Sequence, residues 1–265
     1  MLRSLTTALL MLLAAAFAWA DDANTSQWQG DMTPGQTLTI RGISGTVTAD
    51  LAPGTQAQVT AVKSGTRDDP SQVQIQVATS DGGVVICAAY PSLYGGLIDA
   101  CNPPSSASGS VNSDVQVVFT VHLPAGVALD VTIVNGDIRA TGLTGDIRAT
   151  TVNGQIALST TTGSAQATTV NGSIVVVLGS AEWTGTSSFT TVNGSIDATI
   201  PASANVVIHA ATVSGTISTD FPLTVQGSSG CFVGKQATLN GTLGSGGRDL
   251  NLTTVNGSIH LRKSQ

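Results

Sequence analysis

Val134-Asn135-Gly136-Asp137-Ile138 recurs as Val152-Asn153-Gly154-Gln155-Ile156 and again as Val170-Asn171-Gly172-Ser173-Ile174, 18 residues apart each time. Halfway between stand Leu143-Thr144-Gly145-Asp146-Ile147 and Thr161-Thr162-Gly163-Ser164-Ala165, so the underlying step is nine. Later copies centre on Asn193-Gly194, Ser214-Gly215, Asn240-Gly241 and Asn256-Gly257, at spacings of 22, 21, 26 and 16, and Ile43-Ser44-Gly45-Thr46-Val47 is an early relative. The uneven spacings read as loops inserted at some corners. A unit this short buries almost nothing alone, so it must stack on its own copies.

The step of nine has a strand inside it. Ile138 and Ala140, Ile147 and Ala149, Ile156 and Leu158, Ala165 and Ala167, and Ile174 and Val176 alternate with Arg139, Arg148, Ala157, Gln166 and Val175. That period of two puts one set inward and the other outward. Asn-Gly, Thr-Gly or Ser-Gly closes each strand, and such dipeptides tolerate positive φ at a sharp turn. The corner residues are thus Asn135, Gly136, Asn153, Gly154, Asn171, Gly172, Asn193, Gly194, Gly215, Asn256 and Gly257. Asparagines would stack at one corner, with Thr144 and Thr162 at the opposite one. The expected fold is all-β: a flattened β-solenoid of about 18–22 residues per coil, its coils about 4.8 Å apart. A hairpin sandwich is the structural rival, but it gives no reason for corner identities to repeat.

Composition excludes the other classes. The chain holds 36 Thr and 30 Gly, yet Glu182 is its single Glu and only 10% of its residues are charged. Amphipathic helices need Glu, Lys, Arg and Gln for their wet faces, whereas Thr and Val suit a pleated sheet. A formal net charge of −6 leaves no basic patch to displace counterions from nucleic acid. Residues 1–20 read as a signal peptide: Arg3, an apolar run from Leu9 to Phe17, and Ala18-Trp19-Ala20 as a cleavage site. No transmembrane segment is expected in the mature chain. A short segment, 21–29, precedes one solenoid domain at 30–263, irregular over 30–130 and regular over 131–263. Export to the periplasm, cell surface or medium would let Cys87 and Cys101 pair across their loop, the alternative being two buried thiols. Cys231 is left over, a buried small hydrophobe or an intermolecular thiol.

Leu123-Pro124-Ala125-Gly126-Val127, the Val-Asn-Gly copies and the closing Gly244-Ser245-Gly246-Gly247-Arg248-Asp249-Leu250 together resemble the bacterial "putative adhesin" domain of unknown function, over roughly residues 30–263. The resemblance implies a single-stranded right-handed β-helix at the cell envelope, similar to the head domains of exported envelope proteins. It brings no catalytic residues.

Candidate chemistry is sparse. Asp137-Ile138-Arg139 and Asp146-Ile147-Arg148 form the main charged cluster, but the equivalent positions drift to Gln155, Ser164 and Ser173, and to Ala157, Gln166 and Val175. A catalytic groove needs several carboxylates converging on one bond. These pairs therefore read as solvated ion pairs of little energetic weight. His122, His209 and His260 are scattered on outward strand positions, and no metal motif or cofactor loop is present. What remains is surface: Val175, Val177 and Trp183 are the candidate partner face, unless the loop before the next coil covers the valines. The expectation is a non-enzymatic envelope module whose partner is an envelope protein or a glycan. The alternatives are a polysaccharide lyase or hydrolase and a ligand-binding subunit of a sensing system.

Overall fold

The computed structural model describes residues 24–92, 97–98, 101, 113–180, 183, 185–223, 225–227 and 237–264. The expected leader, Cys231 and residues 102–112 lie outside them. Among the described residues the strands are β1 (Thr25–Asp31), β2 (Thr37–Arg41), β3 (Val47–Leu51), β4 (Gln56–Ser64), β5 (Gln74–Ser80), β6 (Gly83–Pro91), β7 (Leu97–Ile98), β8 (Gln116–Leu123), β9 (Ala128–Thr132), β10 (Ile138–Leu143) and β11 (Ile147–Thr150). There follow β12 (Ile156–Thr160), β13 (Ala165–Asn171), β14 (Ile174–Leu178), β15 (Thr186–Asn193), β16 (Ile196–Pro201), β17 (Val206–Ser214), β18 (Ile217–Thr219), β19 (Val225–Gly227), β20 (Ala237–Leu243), β21 (Asp249–Asn256) and β22 (Ile259–Ser264). One 3-10 turn, Pro70–Gln72, is the sole helical element among them.

The strands form two sheets. The first runs β1-β4-β8-β3-β10-β12-β14-β16-β22-β18 and the second β19-β20-β17-β21-β15-β13-β11-β9-β2-β6-β5, with β7 on β6. From β9 to β18 the chain alternates between them, one strand in each per coil, and like strands of neighbouring coils pair in parallel. The register joins equivalent repeat positions: Ile138↔Ile156↔Ile174↔Ile196↔Ile259 on the first sheet, Ile147↔Ala165 on the second. These inward side chains form one buried cluster extending from Trp28 to Leu261. The fold is all-β and solenoid-like.

Coil order along the stack departs from chain order at both ends. The β2–β3 coil sits between β6/β8 and β9/β10, and the final β21–β22 coil inserts between β15/β16 and β17/β18. The uneven spacings of the late repeats therefore reflect a re-entrant coil rather than corner loops alone. Leu239-Asn240-Gly241-Thr242-Leu243 is no corner: it lies within β20, which returns antiparallel on β17. Antiparallel strands flank the other end too, β4 on β8 and β5 on β6. Cys87, on β6, is bonded to Cys101, with Cα atoms 5.3 Å apart.

The corner is built from two ladders. Asn153 Nδ2 donates to Asn135 Oδ1, Asn171 to Asn153, Asn193 to Asn171 and Asn256 to Asn193, at 2.7–2.9 Å. Ser44 and Ser214 continue the column at its two ends. Beneath it, buried Thr151, Thr169, Thr191, Thr254 and Thr212 each donate Oγ1 to a corner glycine carbonyl on the adjoining coil, at 2.8–3.1 Å. Tyr90, buried below Ser44, donates to the carbonyls of Ser44 and Val115, and burial pushes its phenol up to about 12.

The corner glycines are required for a reason other than positive φ. Gly136 does have φ +148°, but Gly154, Gly172, Gly194, Gly215 and Gly257 do not lie in the left-handed region. A Cβ on any of these five would stand 1.9–2.0 Å from the carbonyl oxygen of the stacked glycine next to it. Close backbone approach between coils, not left-handed geometry, demands glycine there.

Candidate binding face

The outward side of the first sheet carries several partnered groups. Asp50 and His122 are hydrogen-bonded, Arg262 Nη2 donates to Asp197 Oδ1 at 3.0 Å, and Ser218 Oγ shares a 2.6 Å hydrogen bond with His260 Nδ1. Ser218, His260 and Asp197 fall on three neighbouring strands at one register position. They do not form a nucleophilic triad, because the Asp197 carboxylate is spent on Arg262 and no described hydrogen bond joins it to His260. Val175 and Val177 point outward from β14, 46% and 39% exposed. Trp183 does not join them. It is 1% exposed, inside the buried cluster, with Arg248 Nε donating to its carbonyl at 2.6 Å.

The acids of the charged cluster bind backbone rather than arginine. Asp137 Oδ1 accepts from the Gln155 amide at 2.7 Å. Asp146 Oδ1 accepts from the amide and hydroxyl of Ser164, both at 2.8 Å. Each acid thereby ties its corner to the next coil, and no Asp137–Arg139 or Asp146–Arg148 ion pair is present among the described residues. Arg139 and Arg148 extend into solvent on opposite sheets.

The second sheet carries a different outward face. In register across β9, β11, β13, β15 and β21 stand Asp130, Arg148, Gln166, Ser188 and Asn251. None of these five side chains has a hydrogen-bond or ion-pair partner among the described residues. Two positions further along the same strands run Thr132, Thr150, Thr168, Thr190 and Thr253, and beyond them an exposed valine at each corner. Where the polar column meets the Asp146 corner, a cavity of about 280 Å³ opens, lined by Thr37, Asp130, Asp146, Arg148, Ser164 and Gln166. Its polar lining combines one guanidinium, two carboxylates, an amide and hydroxyls, beside Ala128, Leu129 and Ile147. That donor and acceptor mix suits vicinal hydroxyls, which both give and take hydrogen bonds. Among the described residues, no group of three or more His, Cys, Asp or Glu side chains is placed to hold a metal.

Residues 104–262 match the family model described as Toastrack DUF4097. The chain belongs to that family. The matched segment ends within β22 and includes every member of the polar column, leaving only Thr37 of the cavity's polar lining outside it. Among solved structures, this Toastrack chain is similar to a "putative cell adhesion protein" from Clostridium sporogenes at 12% identity, covering 91% of this chain and 100% of that one, with a TM-score of 0.48. It is also similar to a "putative adhesin" from Bacteroides fragilis at 12% identity, covering 92% and 98%, with a TM-score of 0.31. No curated protein matches it.

Sequence reasoning found the corners and the inward set but missed the polar column. The 18-residue spacing of Asp130, Arg148 and Gln166 was the available signal.

Proposed function

We propose that this protein is a non-enzymatic, adhesin-like module of the bacterial envelope that binds glycan through the cavity around Arg148. The observation carrying this reading is the uncommitted Arg148 guanidinium, in register between Asp130 and Gln166, in a cavity whose polar lining also includes Thr37, Asp146 and Ser164. The leader-like residues 1–20 and the Cys87–Cys101 bond support export to an oxidising compartment. Residues 30–263 act as one unit in this reading, coiled as a single-stranded right-handed β-helix, the hand favoured for parallel crossovers. Val175 and Val177, on the opposite face, take no part in that binding.

The test is a glycan-binding titration of the mature protein with reducing ends counted in parallel. Binding that falls at least tenfold in Arg148→Ala, is retained in Val175→Asp and releases no reducing ends supports the reading. Binding unchanged by Arg148→Ala overturns the site. Asp130 and Asp146 in the same cavity favour a second reading, glycan cleavage. Release of reducing ends that Asp130→Ala abolishes would establish it instead.

A further inference from the structure

The cavity is one end of a longer feature. From Asp130 to Asn251 the second sheet presents one hydrogen-bonding side chain per coil, in a straight column, at about 4.8 Å per step. Five consecutive coils thus offer a track of roughly 20 Å. Several polar groups elsewhere on the surface are committed: the corner asparagines bond to each other, and Asp50, Asp197 and His260 have partners. Those of the track bond to no described residue. Thr150, Thr168, Thr190 and Thr253 flank it with hydroxyls equally free of described partners, so every coil supplies a varied group beside a constant one.

We infer that a neutral, extended polysaccharide chain lies along this track, parallel to the stacking axis, with about one sugar opposite each coil from Asp130 to Asn251. Three observations point to that ligand class. Its groups must repeat at the coil spacing, and a β-1,4-linked chain of pyranoses advances by nearly that step and stays straight. Each repeat must both donate and accept, as sugar hydroxyls do. The chain must be uncharged, because Asp130 and Arg148 offset one another along a track whose other members are neutral, within a molecule of net charge −6 that repels polyanions. A curved α-1,4-linked chain would leave the column after two or three coils. The inference rests on the glycan reading above and extends it from one cavity to five coils.

Calorimetric titration of the mature protein with β-1,4-linked oligomers of glucose and of N-acetylglucosamine, two to eight sugars long, tests it. Maltose oligomers serve as the curved control. Affinity should rise at least tenfold between the dimer and the pentamer, then level off beyond five or six sugars. Asn251→Ala, three coils from Arg148, should weaken the pentamer several-fold and leave the dimer unchanged, with the melting temperature of the wild type. Affinity independent of length, indifference to Asn251→Ala, or equal binding of maltose oligomers overturns the track while leaving the cavity reading intact. Failure of every oligomer to bind overturns both.

Discussion

Replacing Gly172 by Ala adds one carbon at the point where two coils approach most closely. Its Cβ would stand 1.9 Å from Gly154 O and 2.6 Å from the carbonyl carbon. Real contacts of this kind lie beyond 3.0 Å, so the coils must separate locally by over an ångström. The bonds that cross this point cannot stretch so far. They include Gly154 N to Asn171 O at 3.0 Å, Asn171 N to Val152 O at 2.8 Å, and Thr169 Oγ1 to Gly154 O at 3.1 Å. Losing or straining three hydrogen bonds, one of them made by a buried threonine, costs about 3–5 kcal/mol. In a domain of this size that lowers the melting temperature by roughly 6–20 °C. Gly35→Ala is the internal control: φ is +91° but nothing lies within 4 Å of its Cβ, so it bears only the conformational cost of about 1–2 kcal/mol. Thermal melting by circular dichroism compares the two. If Gly172→Ala melted within 3 °C of wild type, or less far below it than Gly35→Ala, the close-approach account of the corner would be refuted.

Thr191→Val keeps the shape of a buried side chain but removes its bond to Gly172 O, 2.8 Å long, and should cost about 1–3 kcal/mol in denaturant titration. Asp114 accepts from Thr66 Oγ1, the Asp68 amide and both the amide and side chain of Arg67, which hold its carboxyl well below the usual carboxylate range. A lowered folded-state pKa means stability present above the ordinary carboxylate value and lost as pH falls through the folded one. Asp114→Asn should therefore melt below wild type at pH 7, with the gap closing in acid. Tyr90 has the opposite dependence: its raised phenol contributes stability below pH 10 that is lost between about pH 10 and 12. Alkaline unfolding should begin in that window, and Tyr90→Phe should shift its onset upward.

The regular coils were legible because their information is local. Asn-Gly at a fixed spacing and alternation of Ile with Arg, Gln or Ala specify corner, strand and face within 18 residues. Coil order was not, because Val213-Ser214-Gly215 and Val255-Asn256-Gly257 carry the same motif and either fits beside Asn193. The antiparallel return of β20 onto β17 accompanies the insertion of β21 between β15 and β17, and β20 reads in sequence as another repeat. Trp183 reads from its place in the insertion before the next coil as part of a partner face, yet it packs into the core, a tertiary contact no local pattern encodes. The glycine requirement was legible but not its cause, since a turn and a close stack both select glycine. The binding face was half legible: Asp130, Arg148 and Gln166 follow the 18-residue step, whereas Ser188 and Asn251 join the column only through the stacking order.

Chemical-shift mapping tests which face of the molecule binds. The mature protein, isotopically labelled, is titrated with the β-1,4-linked pentamer that binds most tightly. The largest shifts should fall on Arg148, Gln166, Ser188, Asn251 and the Thr150–Thr253 column of the second sheet, with Val175 and Val177 unmoved. Shifts centred on Val175 and Val177, or spread over the first sheet around Asp197 and Arg262, would contradict the assignment of the second sheet as the binding face.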